Sequence, residues 1–119
     1  QVVIHHDDGL TELDAHGATL FAPTVSAAIG NRIRLRIPAH EVLLATSKPE
    51  NLSALNVLPG EIEQVVAQSL AGAMISVRTQ AGRLLARVTD RTVRRLGLRE
   101  GVACFAIVKS VAIAPEASA

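Results

Sequence analysis

What most constrains this chain is the short interval between its turn signals. Asp7-Asp8-Gly9, His16-Gly17, Pro23, Ile29-Gly30 and Pro38 break the first part, and Gln80-Ala81-Gly82, Gly97 and Arg99-Glu100-Gly101 break the second. The stretches between them suit strands of about 5–6 residues better than helices of about 11. Residues 2–6, 10–13, 19–21, 41–45, 61–67, 73–79, 83–88, 102–108 and 111–114 are β-branched or alternate apolar with polar. Closely spaced short strands with such turns predict an all-β fold, a sandwich or a small barrel.

Residues 31–37 give the cleanest alternation. Arg32, Arg34 and Arg36 fall on one face and Ile33, Leu35 and Ile37 on the other, and Pro38 ends the run. The arginine row reads as a solvated strand face whose charges also discourage edge pairing. Residues 102–108 carry no charge and are predicted to be a central strand. One segment departs from the β pattern, a short helix near residues 90–97. Thr89 or Asp90 caps its start, Arg94 and Arg95 lie near its end, and Gly97 stops it. Residues 46–51 are polar and aperiodic. They are the expected boundary between a first β segment, 1–50, and a second, 51–115, with 116–119 as a frayed tail.

Composition excludes several classes of function. With 119 residues, 49% hydrophobic and 19% charged, the chain can build a core. No apolar run approaches the ~18–20 residues of a membrane-spanning helix. The formal net charge is +1, and Phe21 and Phe105 are the only aromatics. A nucleic-acid binder needs a basic face or aromatic stacking platforms, so that class is disfavoured. The single cysteine, Cys104, excludes an internal disulfide and a cysteine metal cluster. It lies in the predicted central strand and reads as a buried, inert thiol. His5 and His6 are adjacent on a strand and point to opposite faces, so they do not share a metal ion. Asp7-Asp8-Gly9 reads as a turn. No Gly-x-Ser-x-Gly motif or other catalytic constellation is present. The chain starts at Gln1 and shows no signal-peptide pattern, which reads as a piece of a longer protein.

The two halves also resemble each other. Each has strands, a turn with glycine (Gly17, Gly82), a strand, a break, and a strand led by glycine (Gly30, Gly101). Pro38-Ala39 then aligns with Lys109-Ser110, and Val42 with Ile113. The first half has no counterpart of the helix around Val93.

In the second half, Ser53-Ala54-Leu55-Asn56, Val88-Thr89, Arg95-Leu96-Gly97-Leu98-Arg99-Glu100-Gly101 and Ile107-Val108-Lys109-Ser110 occur in order. Together they resemble the Mop domain, the molybdate-binding member of the TOBE class. With Asp8-Gly9-Leu10-Thr11-Glu12-Leu13 and Arg34-Leu35-Arg36-Ile37-Pro38-Ala39-His40-Glu41-Val42, the sequence is similar to the C-terminal accessory region of the ATP-binding subunit of molybdate ABC transporters. The resemblance implies an all-β, OB-like barrel architecture with strands shared between the two segments. No Gly-x-x-x-x-Gly-Lys-Ser/Thr loop occurs, so the chain would be the accessory domain without the ATPase, and not an enzyme.

The implied ligand is molybdate or tungstate, a tetrahedral dianion, with no cofactor. Such an ion needs converging N–H groups, hydroxyls and a cation. Lys109 is a point charge closing an apolar strand; Ser53, Thr89 and Ser110 supply hydroxyls, and Thr89 also precedes the helix. The resemblance assigns oxyanion contacts to Ser53, Thr89, Lys109 and Ser110, where two subunits meet. It departs at Leu55, where the family motif has arginine, leaving Lys109 the sole cation at matched positions. Pro38 stands where Lys109 stands, so the first half is expected to lack an equivalent site. The implied partners are a second copy (a dimer favoured), the ATPase domain of the same polypeptide and the transporter permease, with no nucleic acid and no membrane insertion. The implied location is cytoplasmic, peripheral to the inner membrane. The alternatives are a structural dimerisation domain without ligand and a free-standing molybdate-storage protein.

Overall fold

The computed structural model describes residues 1–23, 27–54, 56–68 and 72–109, and the backbone of 112–113. The readings placed on Leu55, Ser110 and the tail 116–119 lie outside the described residues.

The chain folds as β1 (Val2–His5), β2 (Leu10–Ala15), β3 (Ala18–Pro23), β4 (Leu35–Arg36), a 3-10 turn (Ala39–Glu41), β5 (Val42–Ala45), β6 (Asn56–Ala67), β7 (Gly72–Thr79), β8 (Gly82–Thr89), α1 (Asp90–Leu96), β9 (Ala103–Val108) and β10 (Ala112–Ile113). All neighbouring strands pair antiparallel, in the orders β1-β2-β3, β10-β4 and β5-β9-β6-β7-β8. The five-stranded sheet curls until β8 packs against β5 and the 3-10 turn, making a half-barrel. This is the all-β fold with one short helix that the turn spacing predicts. Val2, Leu13 and Leu20 from the first half join Ile62, Ile75, Val77 and Val108 from the second in one buried cluster.

The two halves exchange strands. β5, from the first half, pairs with β9; β10, from the second, pairs with β4. The internal similarity extends to single backbone bonds. Val2 N donates to Asn31 O at 2.9 Å and Val2 O accepts from Gly30 N at 2.8 Å. Ile62 N donates to Val102 O at 2.9 Å and Ile62 O accepts from Gly101 N at 2.8 Å. A register shift follows each of these residues, between Val2 and Ile4 and between Ile62 and Gln64. The two hairpin turns touch at equivalent residues, Gln80 Nε2 donating to His16 O at 3.1 Å.

Three elements differ from the sequence reading. Residues 31–37 keep their alternation of exposure, with all three arginines exposed, yet only Leu35–Arg36 forms a ladder. The physical reason is a missing neighbour. Among the described residues, β9 is flanked by β5 and β6, whereas β4 has only β10. The strand expected at 61–67 begins earlier, at Asn56, and runs straight through Pro59-Gly60. Its first part pairs with β9 and its second with β7, and Gly60 and Glu61 pair with both. The strand expected at 41–45 loses Glu41 to the 3-10 turn.

At that handover β6 and β7 crowd together. A Cβ on Gly60 would sit 2.7 Å from Arg78 O and 2.8 Å from Val77 Cγ1. Only glycine fits without backbone movement. Gly60→Ala should therefore lower unfolding stability in urea by about 1–3 kcal/mol.

Asn56 fastens the two larger sheets. It is 5% exposed; its Oδ1 accepts from Phe21 N at 2.7 Å and its Nδ2 donates to Phe21 O at 2.9 Å. The carboxamide thus occupies the outer edge of β3 as a strand would. Asn56→Ala should cost about 2–3 kcal/mol in a denaturation experiment, because it strands a backbone donor and acceptor. Asn56→Asp should restore little, having lost the donor to Phe21 O.

Candidate functional site

The candidate oxyanion ligands lie at the ends of strands. Lys109 directly follows β9, and its N–H donates to Glu41 O at 3.3 Å. Its side chain is exposed and forms no ion pair among the described residues. Ser53 is exposed in the segment leading into β6. Asn56 and Val108 face each other in the ladder. Ser53 and Lys109 therefore extend from the same end of the β6–β9 pair, one on each side of it.

Thr89 lies elsewhere. It pairs with Gly72, and Ala73 pairs with Ala67, the last residue of β6. The 12 residues of β6 thus stand between Thr89 and the Ser53–Lys109 end. Among the described residues, no hydrogen bond joins Thr89 to Ser53 or Lys109. Ser110 and Leu55 lie outside the described residues.

Thr89 also has a structural task. Its Oγ1 accepts from Thr92 N at 3.1 Å and pairs with Thr92 Oγ1 at 2.9 Å, capping α1. The other end of the helix closes at Gly97, whose φ of 66° is left-handed, with Leu98 N donating to Val93 O at 2.9 Å. Arg91, Arg94, Arg95 and Arg99 are exposed, and Arg94 pairs with Asp90 at 3.1 Å. The helix packs Val93 and Leu96 on the core and shows its charge to solvent.

The histidines have local partners. His5 Nδ1 lies 3.0 Å from Thr11 Oγ1 and its Nε2 2.8 Å from Ala27 O, while His6 Nε2 lies 3.1 Å from Glu12 Oε1. Among the described residues, no three His, Cys, Asp or Glu side chains group as a metal site.

Two features emerge only from the tertiary structure. Asn56 was visible only as a motif letter, because its partner Phe21 is distant in sequence. The other is a charge ladder on the outer face of β6, β7 and β8. There Arg78 meets Glu61 at 3.1 Å and Glu63 at 3.8 Å, and Arg83 meets Glu63 at 3.0 Å. Strand register brings these groups together, and periodicity alone does not give register. Glu61, Arg78 and Arg83 are exposed and Glu63 partly so, so the ladder contributes little to stability.

Residues 52–115, just over half of the chain, match the TOBE domain family. The chain belongs to that family. This TOBE domain is 36% identical over 104 residues to the molybdenum import ATP-binding protein ModC of Rhizobium etli, covering 87% of this chain and 29% of that protein. It is 42% identical over 116 residues to ModC of Rhizobium meliloti (strain 1021), covering 94% and 32%. The chain thus spans less than a third of the length of these curated relatives. A crystal structure of the cytoplasmic molybdate-binding protein ModG with molybdate bound shares the fold. Its TM-score is 0.77 at 24% identity, over 87% of this chain and 83% of that one.

Cys104 is buried in β9 of the TOBE domain, and burial raises its thiol pKa above the ordinary 9.0. The thiolate is the reactive form. Alkylation by iodoacetamide at pH 8 should be slow in the native protein and become fast in urea, with the rate tracking unfolding. The sign of the pH effect follows. A pKa raised by folding stabilises the native state at pH values below the unfolded thiol's pKa. That contribution is lost as pH rises through the folded value, so it should weaken from about pH 9 upward.

Proposed function

We propose that this TOBE domain is the C-terminal accessory domain of a molybdate-import ATP-binding subunit and binds a tetrahedral oxyanion, molybdate or tungstate, between subunits. The observation that carries this reading is its similarity to ModC proteins over almost all of its own length and under a third of theirs. The exposed Lys109 beside the Ser53 end supports it, because an ammonium without an ion pair among the described residues is available to an anion. In this reading Lys109, Ser53 and Ser110 of one copy hold one side of the ion. Thr89 of a second copy approaches from the other.

The mechanism would be a population shift. An oxyanion held between copies favours the arrangement that brings both sets of donors together, and shifts the equilibrium by its preference for that arrangement. In the longer protein, which this reading places in the cytoplasm against the inner membrane, the same shift would hold the attached ATPase domains in one relation to each other and to the permease. A second reading is a ligand-free dimerisation domain. The engagement of the Thr89 hydroxyl in its helix cap and the leucine at position 55 favour it.

Calorimetric titration with molybdate, with sulfate as control and the oligomeric state followed by light scattering, separates the two. The expected result is saturable binding with fewer than one ion per isolated monomer. Lys109→Ala should weaken it roughly tenfold to a hundredfold, since a charged hydrogen bond contributes about 1.5–3 kcal/mol. Absence of heat from a folded, oligomeric protein would leave the structural reading, and Leu55→Arg would be the variant to restore a site.

A further inference from the structure

The internal symmetry has one unfilled position. In the second half, residues 56–61 run ahead of Ile62, pair along β9, and end with Asn56 on the edge of β3. Val2 is the backbone equivalent of Ile62, and Gly30-Asn31 of Gly101-Val102. The counterpart of β9 is therefore residues 32–37, and the counterpart of Glu61 is Gln1. β10 covers one side of residues 35 and 36. On the other side no strand lies among the described residues.

That side is a groove. One cleft of about 390 Å³ is lined by Gln1, Asp14, His16, Arg32 and Ile33, and it adjoins a second of about 360 Å³ lined by Leu20, Ile37, Arg83 and Leu85. The two share Ala15, Leu35 and Ala81. The far end of the groove is the edge of β8. The β2–β3 and β7–β8 turns are closed by the pairs Ala15–Ala18 and Thr79–Gly82. Counting from these, Leu85 is the counterpart of Phe21. Alternation in an antiparallel ladder turns the N–H and C=O of both residues outward. Asn56 satisfies those of Phe21. Leu85 is 42% exposed, and β8 has no further neighbour strand on that side among the described residues.

We propose that this groove seats an extended strand, the polypeptide that leads into residue 1 in the longer proteins of this family. It would pair with residues 32–37 and reach the β8 edge at Leu85. Two observations favour this occupant over a second copy. Gln1 is tied into the sheet at the mouth of the groove, its amino group donating to Asp14 O at 2.8 Å and its carbonyl accepting from Asp14 N at 2.8 Å. The relatives also carry more than twice as much chain as this one. About six extended residues cover the ~20 Å required. The seat explains why the best alternating segment of the sequence forms so short a ladder here. The proposal rests on the reading of this chain as one domain of a longer polypeptide.

The test compares three proteins by amide hydrogen exchange and thermal unfolding. They are the 119-residue chain, the chain with a copy of its own residues 53–60 placed directly ahead of Gln1, and the chain with a Gly-Ser extension of equal length. The copied segment contains residues 56–60, the part of β6 that fills the equivalent position in the second half. It should slow exchange at residues 32–37 and at Leu85 at least tenfold and raise the melting temperature by several degrees. The Gly-Ser extension should do neither. Identical behaviour of the two extended proteins overturns the proposal. So does protection of the same amides in the unextended chain that grows with protein concentration, which would assign the groove to a second copy. Molybdate titration of the same three proteins reports separately on the oxyanion reading, which stands or falls at Lys109 and not in the groove.

Discussion

β9 depends on strands from both halves of the chain. β5 pairs along one edge and β6 along the other, so this interior strand of the large sheet has no free edge over the paired residues. A free edge would leave a row of unpaired backbone groups. The return exchange, β10 onto β4, binds the end of the second half to the first. Each half thus lends a strand to the other, and the hydrophobic cluster draws side chains from both.

Asn56 extends the same logic with a side chain. A carboxamide carries a donor and an acceptor in the geometry of a peptide group, so it can close a strand edge where no strand fits. It does so on β3 while its own backbone pairs with Val108 in β9. The three-stranded sheet is thereby held at a fixed place on the five-stranded one. A few residues along the same strand, Gly60 lets β6 pass from β9 to β7 in a space no side chain can enter.

This architecture bears directly on the oxyanion reading. The β6–β9 pairing carries Lys109 and Ser53 to one end of β6, and the β7–β8 hairpin carries Thr89 to the other. Residues that share a motif list thus sit at opposite ends of one strand, with no hydrogen bond between them among the described residues. The separation suits a ligand held between copies, and it also explains how the same residues can serve the fold alone, as Thr89 does in its helix cap.

The sequence by itself determined the element types, because turn residues and alternation act over a few neighbouring positions. The helix cap at Thr89, its stop at Gly97 and the uncharged central strand through Cys104 are all local signals of this kind. The family resemblance was legible for the same reason, since its motifs are short and ordered. Tertiary structure decided what each strand pairs with. It shortened the alternating run at residues 31–37 for want of a neighbour, and carried β6 through Pro59-Gly60 because β9 and β7 lie on either side of the handover. It gave Asn56 its partner in Phe21 and set Thr89 apart from Lys109. Pairing and register depend on contacts between residues distant in sequence, and periodicity carries no information about which distant edge will be met.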